Sequence, residues 1–183
     1  SDWETKVWID GKEAGVHRGG YDPFSFEISG LLNKGSSHEI IVCVWDPTSD
    51  GPQPRGKQVN NPGGIWYTPT TGIWQTVWLE PVNENHITSF RTISDIDAKT
   101  LSFVINSSEN KGMVEIKVSS DGKSIAEKSG SSGSEIKLDI NEPILWSPDN
   151  PFLYDVSIIL KTDNAVSDEI TSVAGMRKIS LGK

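Results

Sequence analysis

The sequence has one cysteine, Cys43, and three histidines in 183 residues. A single cysteine excludes an internal disulfide and any zinc site built from several thiolates. The histidines (His17, His38, His86) show no His-x-x-x-His or Glu-x-x-His spacing, so no metal motif is present and no cofactor is implied. Long apolar runs are missing too, and no window of about 18 residues could cross a membrane as a helix. Positive charge is scarce: 17 Lys and Arg face 25 Asp and Glu, a net charge of -8 with pI near 4.9. A nucleic-acid partner needs a basic face, so that class is excluded. No stretch of ten or more residues repeats apolar positions with helical period. The chain opens Ser1-Asp2-Trp3, without initiator Met or a basic-then-apolar leader, and reads as a piece of something longer whose compartment is not encoded here.

What is abundant is tryptophan. Six of the seven (Trp3, Trp8, Trp45, Trp66, Trp74, Trp78) lie in the first 80 residues, and only Trp146 follows. Residues 47–72 are dense in Pro and Gly, whereas the chain beyond Asn83 alternates short apolar runs with Ser, Asn, Asp and Gly. A boundary at Pro81-Val82-Asn83 divides two modules, 1–81 and 82–183. Both are expected to be all-β. In the first, Lys6-Val7-Trp8-Ile9 runs into Asp10-Gly11, a type I′ hairpin signal, with a return strand at 13–17. Phe24-Ser25-Phe26-Glu27-Ile28 alternates as a half-buried strand would. The run 39–45 is almost wholly apolar and predicts a central strand covered on both sides. A further strand is expected at 73–80, with Trp74 and Trp78 on one face. In the second module, strands are expected at 87–92, 100–106, 112–119, 135–140, 154–161 and 169–174, with a tail strand at 177–181. Asp121-Gly122 marks another hairpin. About seven strands in roughly 100 residues match an immunoglobulin-like sandwich lacking the antibody-type disulfide.

Few residues carry a chemical signature. His17, before Arg18-Gly19-Gly20, sits at a loop mouth, where a lone histidine is most simply a structural hydrogen-bonding group. Residues 46–51 begin like a calcium loop, but its twelfth position is Lys57 rather than a bidentate Glu. Cys43 lies between Val42 and Val44 and reads as a small buried hydrophobe. Asn106-Ser107-Ser108 fits the glycosylation pattern, a weak three-residue match. Paired carboxylates could hydrolyse glycosides, yet nothing marks one of the 25 acids as buried and catalytic. Trp66 and Tyr67, in a Gly/Pro-rich loop, are suited to stack on sugar rings. Sandwich aromatics more often fill a core or seal an interface.

Longer stretches carry a resemblance. They are Val7-Trp8-Ile9-Asp10-Gly11, the run from His17 to Ile28 containing Gly19-Gly20-Tyr21-Asp22-Pro23-Phe24, Asp46-Pro47-Thr48, Gly56-Lys57-Gln58, and Gly64 to Glu80 containing Gly72-Ile73-Trp74-Gln75. In the second module they are Leu145-Trp146-Ser147-Pro148-Asp149-Asn150-Pro151-Phe152-Leu153-Tyr154 and Gly175-Met176-Arg177-Lys178-Ile179. In this order they resemble glycoside hydrolase family 2, the β-galactosidase, β-glucuronidase and β-mannosidase group. The resemblance implies that 1–81 is the later part of a sugar-binding jelly roll and that 82–183 is an immunoglobulin-like sandwich. Both precede a TIM barrel that carries the two catalytic glutamates of a retaining glycosidase, so hydrolysis by this chain alone is not expected. It implies substrate-rim roles for Trp66, Tyr67, His17 and Arg18, and inter-domain packing for Trp74, Trp78, Trp146 and Arg177. The partners implied are carbohydrate, through the parent enzyme, and the barrel; export of the parent to the periplasm or outside the cell suits such enzymes.

Two departures matter. Better-known members lend an aspartate to the substrate pocket shortly before the Gly72-Ile73-Trp74 position, and Trp66 stands there in this sequence, so substrate identity does not carry over. The strands that precede Lys6–Ile9 in the family's jelly roll are also missing. A sandwich short of strands exposes backbone edges, so residues 1–81 are expected to be loosely packed or to self-associate, while 82–183 fold independently. A free-standing carbohydrate-binding module is the competing reading; an adhesion sandwich explains neither the tryptophans nor the motif order.

Overall fold

The computed structural model describes residues 1–181. The chain divides into two compact units, Ser1–Leu79 and Glu80–Lys183. Every strand among the described residues pairs antiparallel, as expected of an all-β chain.

Unit 1 is built on three strands, β1 (Glu4–Ile9), β2 (Lys12–Arg18) and β3 (Ile40–Trp45), in the order β2-β1-β3. Asp10 and Gly11 have φ of 50° and 79°, the two positive values that a type I′ turn requires between β1 and β2. The Asp10 carboxylate then organises the return of the chain. It accepts the backbone N–H groups of Asn33 at 2.8 Å and Glu39 at 2.9 Å, and His38 Nδ1 lies 2.8 Å away. Led by the Asn33 N–H, then by His38 and the Glu39 N–H, these donors hold the carboxyl down at a pKa of about 2.

That low value has a pH signature. The unfolded chain takes up the proton at the ordinary carboxylate pKa, so the stabilisation is complete above about pH 4 and is lost as pH falls toward 2. Urea midpoints of unit 1, read by tryptophan fluorescence from pH 7 to 2, are expected to fall steeply below pH 4. Asp10→Asn is expected to flatten that fall; an unchanged slope would show that other carboxylates dominate.

Several expected strands of unit 1 are absent. Residues 39–45 do form β3, but at the edge of the sheet, because β1 already occupies the centre with a partner on each side. Ile40 and Ile41 are each 47% exposed and Trp45 57%, and Cys43 is exposed rather than buried. Residues 24–28 join no ladder. Their alternation instead serves side-chain packing: the Phe26 ring lies over Gly15, where a Cβ would sit 2.4 Å from a ring carbon, and Phe24 stacks on His17 with centroids 4.1 Å apart. Residues 73–80 form no strand either; only Gly72, bridged to Asp2, and the Trp74 indole tie that segment down. Ile9 is the one fully buried large apolar side chain of unit 1 among the described residues.

Unit 2 is two sheets enclosing one core. β4 (Ile87–Asp95), β5 (Thr100–Ser107) and β8 (Glu135–Asp139) form the sheet β4-β5-β8. β6 (Met113–Ser120), β7 (Lys123–Ser131), β9 (Tyr154–Thr162) and β10 (Ala165–Ala174) form the sheet β10-β9-β6-β7. Period-two patterning dictates which side chains turn inward: Val114, Ile116 and Val118 from β6 meet Phe103 and Ile105 from β5, Leu138 from β8 and Ile158 and Leu160 from β9. Asp121-Gly122 and Asp163-Asn164 both carry positive φ and close the β6–β7 and β9–β10 hairpins. The tail strand expected at 177–181 is absent. Instead Arg177 O accepts Ser94 Oγ at 3.4 Å and Lys178 pairs with Asp97, so side chains rather than a ladder hold that segment.

Candidate functional site

The aromatic loop 47–72 has almost no regular structure, yet its backbone is tightly specified. The turn Gly63-Gly64-Ile65-Trp66 closes with Trp66 N donating to Gly63 O at 3.1 Å, and Gly64 takes a φ of 60° that a side chain would disfavour. Tyr67 N then donates to Lys57 O at 2.9 Å, and Val59 N to Tyr67 O at 3.2 Å. Gln58 Oε1 accepts Thr70 N at 2.6 Å, and the buried Gln53 donates to Thr48 O at 3.0 Å. On this frame Trp66 is 43% and Tyr67 60% exposed, with the Lys57 ammonium 5.9 Å from the Tyr67 ring centroid. Two flat apolar faces edged by a cation and amide groups suit a polyhydroxylated ring.

A second cluster surrounds His17. Its ring, at the end of β2, stacks face to face on Phe24 at an interplanar angle of 13°, and its Nε2 is the one buried side-chain nitrogen or oxygen without a hydrogen-bond partner among the described residues. Beyond it, Gly20 O accepts the Trp74 indole N–H at 2.9 Å, while Asp2 N donates to Gly72 O at 3.0 Å. A Cβ at Gly20 would sit 2.6 Å from Asp2 Oδ1, so a side chain there displaces the Asp2 carboxylate. Burial, and then the charge of Asp46, raises the Asp2 carboxyl above its ordinary pKa. Asp46 itself accepts Thr48 N at 2.8 Å and Thr71 Oγ1 at 3.4 Å. Sequence reasoning missed this carboxylate pair, since Asp46 was legible only as the start of a failed calcium loop.

Arg18, the fourth rim candidate, is taken up by its cross-strand neighbour: Nε donates to Glu4 Oε2 at 2.7 Å, and that bond is the main cause lowering the Glu4 pKa. No hydrogen bond, ion pair or ring contact among the described residues joins Trp66 or Tyr67 to His17 or Arg18. Of the packing candidates, Trp74 is held within unit 1, and Trp78 is 68% exposed on a segment without backbone partners. Trp146 and Arg177 form a pair inside unit 2. The turn Ser147–Asn150 presents Trp146, whose N–H donates to Met176 O at 2.8 Å, and the Arg177 guanidinium lies 4.7 Å from the indole centroid. Unit 2 also has an open depression of about 520 Å³ lined by Lys111, Lys161 and Glu115. Glu109 and Glu115 engage the two lysines at 2.9 and 2.7 Å, so neither ammonium is free to hold an anion. No cluster of three or more metal-ligating side chains occurs among the described residues.

Comparison with known proteins gives a consistent set of relatives. A family model described as glycosyl hydrolases family 2 matches residues 85–177. A β-galactosidase of Thermoanaerobacter pseudethanolicus is 30% identical over 201 residues, covering 96% of this chain and 24% of the relative. A β-glucuronidase of Bacteroides fragilis is 27% identical, covering 93% of this chain and 27% of the relative. A family 2 glycosyl hydrolase structure from Bacteroides cellulosilyticus superposes with TM-score 0.72 at 24% identity, covering 97% of this chain and 25% of that one. A β-glucuronidase from Ruminococcus gnavus in complex with D-glucuronic acid gives TM-score 0.71 at 17% identity, covering 97% of this chain and 32% of that one. At those identities the structures speak for the fold. The chain spans about a quarter of the length of the curated relatives it matches.

Proposed function

Because the chain belongs to glycosyl hydrolase family 2, we propose that it is the non-catalytic accessory region of a larger retaining β-glycosidase of β-galactosidase-like type. In this reading the parent hydrolyses O-glycosyl bonds with a barrel outside this chain. Residues 1–81 are the later part of a sugar-binding jelly roll, and 82–183 are an immunoglobulin-like sandwich. Trp66, Tyr67, His17 and Arg18 rim the substrate pocket. Trp74, Trp78, Trp146 and Arg177 pack against the rest of the parent. Self-association of unit 1 through open strand edges belongs to the same proposal.

The observation that carries the reading is the pair of exposed aromatic faces on a loop pinned by backbone hydrogen bonds from Gln58, Val59, Trp66 and Tyr67. Such a loop is ordered before a ligand arrives, so stacking does not have to offset loop ordering. Titrating the 183-residue chain with galactosides, glucuronides and mannosides, followed by NMR of the indole signals, tests it. One wall of a pocket stacks without enclosing, so binding is expected at about millimolar affinity, with the Trp66 signal shifting. The sugar that shifts it names the substrate class. Trp66→Ala is expected to weaken binding roughly fivefold, as the loss of about 1 kcal/mol of stacking requires. Micromolar binding by this chain alone would favour a free-standing carbohydrate-binding module. No shift at Trp66 or Tyr67 would remove both from the rim.

A further inference from the structure

The loop that presents Trp66 and Tyr67 is also where the acidity of the chain stops. From Gly51 to Leu79 there is no Asp or Glu, the longest such interval in a sequence that has 25 of them. Arg55 and Lys57 lie inside that interval, so a chain of net charge -8 sets two cations and no carboxylate beside its exposed aromatic faces. The acids that precede it are engaged by the loop itself: Asp46 accepts Thr48 N and Thr71 Oγ1, and Asp50 accepts Asn60 Nδ2 at 3.5 Å. Arg55 Nη1 is committed to Ser49 O at 3.2 Å. Lys57 is different, because among the described residues its ammonium has no ion-pair partner. Its backbone is clamped to that of Tyr67, and the ammonium comes to 5.9 Å from the ring centroid. That is the outer limit of cation–π attraction, so the ring steers the charge without neutralising it. Gln58, bridged to Tyr67, adds donors. Its Oε1 accepts Thr70 N and Thr70 Oγ1 at 2.6 and 3.1 Å, which leaves its Nε2 hydrogens without an acceptor among the described residues.

We propose that Lys57, with the Gln58 amide beside it, recognises an anionic group on the sugar that stacks on Trp66 and Tyr67: a carboxylate at C6 or a sulfate ester. The assignment rests on the rim reading above and names the class of ligand that the rim takes. The choice of ligand follows from which partners the loop offers. A neutral sugar presents hydroxyl hydrogens, which carboxylates accept best; this loop has none to give and supplies an ammonium and an amide N–H group instead. Elsewhere the acidic surface repels an anion, so the field of the molecule directs a charged sugar to the acid-free loop. A lysine is a compact point charge rather than a planar fork. It therefore suits a planar carboxylate and a tetrahedral sulfate alike, and the shared chemistry is the negative charge.

The test holds the sugar ring constant and changes only its charge. Methyl β-hexosides of galacto and gluco configuration, each as the neutral sugar, the C6 carboxylate and the 6-O-sulfate, are titrated into the 183-residue chain. The Trp66 and Tyr67 ring signals are followed by NMR. At about 20 mM salt, an anionic form is expected to bind about fivefold more tightly than the neutral sugar of the same ring. By about 0.5 M salt that margin is expected to shrink toward unity. Lys57→Gln, at an exposed side chain, is expected to abolish the margin while the neutral sugar binds as before; Arg55→Gln is expected to reduce it less. The tighter of the two charged forms names the source of the anion. Equal binding of neutral and charged sugars, or a margin that survives Lys57→Gln, overturns the anion assignment and leaves the rim standing. No shift at Trp66 or Tyr67 with any of the sugars overturns the rim and the assignment together.

Discussion

Phe103→Ala is expected to lower the unfolding free energy of unit 2 by about 3–5 kcal/mol, the usual range for emptying a fully buried aromatic site. The Phe103 side chain has no solvent exposure and stands on β5 beside Thr92 of β4 and Ile136 of β8. Opposite it lie side chains of the other sheet, including Val114, Ile116 and Ile158. Ladders on both sides pin β5, so the walls cannot move in to fill the space. A domain with a total stability of about 5–15 kcal/mol loses a large share of it. Urea unfolding followed by the NMR signal of Trp146, the lone tryptophan of unit 2, measures the change. Ser129→Ala, exposed on the outer face of β7 opposite Glu115, is expected to stay within about 0.5 kcal/mol. A Phe103→Ala loss below 1 kcal/mol would mean that the core repacks.

Gly112→Ala is expected to cost about 3–4 kcal/mol, from two sources acting together. Its φ of 110° lies where side chains are strained, by about 1–3 kcal/mol. A Cβ there would also sit 2.8 Å from Lys161 O and 2.9 Å from Leu160 Cδ1, a backbone atom and a core side chain that have little room to yield. Gly133 separates the two causes. It has positive φ as well, at 79°, but open space around it, so Gly133→Ala is expected to cost only about 1–2 kcal/mol. Equal losses at both positions in the same urea titration would show that the close approach to β9 contributes nothing.

Unit 2 was readable in the sequence because its strands bury one face each, so alternations such as Val114-Glu115-Ile116-Lys117-Val118 map directly onto inside and outside. Unit 1 was not, for a physical reason. An apolar run such as 39–45 says that a surface lowers its free energy when covered; it does not say that anything in the chain covers it. Phe24 and Phe26 alternate like a strand although their rings answer to His17 and Gly15, seven and eleven residues back along the chain. At the candidate site, the Gly63-Gly64 turn and the exposure of Trp66 were legible from composition. The Asp10 carboxylate holding Asn33 and Glu39, and the approach of Asp46 to Asp2, depend on contacts more than 20 residues apart that no local pattern encodes.

The bridge between Asp2 and Gly72 also ties the behaviour of two distant backbone positions together. Asp2 N donates to Gly72 O at 3.0 Å and Gly72 N to Asp2 O at 3.4 Å, and the Trp74 indole adds a tether to Gly20 O at 2.9 Å. Deuterium uptake at the Asp2 and Gly72 amides is therefore expected to rise in step with that of the Trp74 indole whenever this clasp opens.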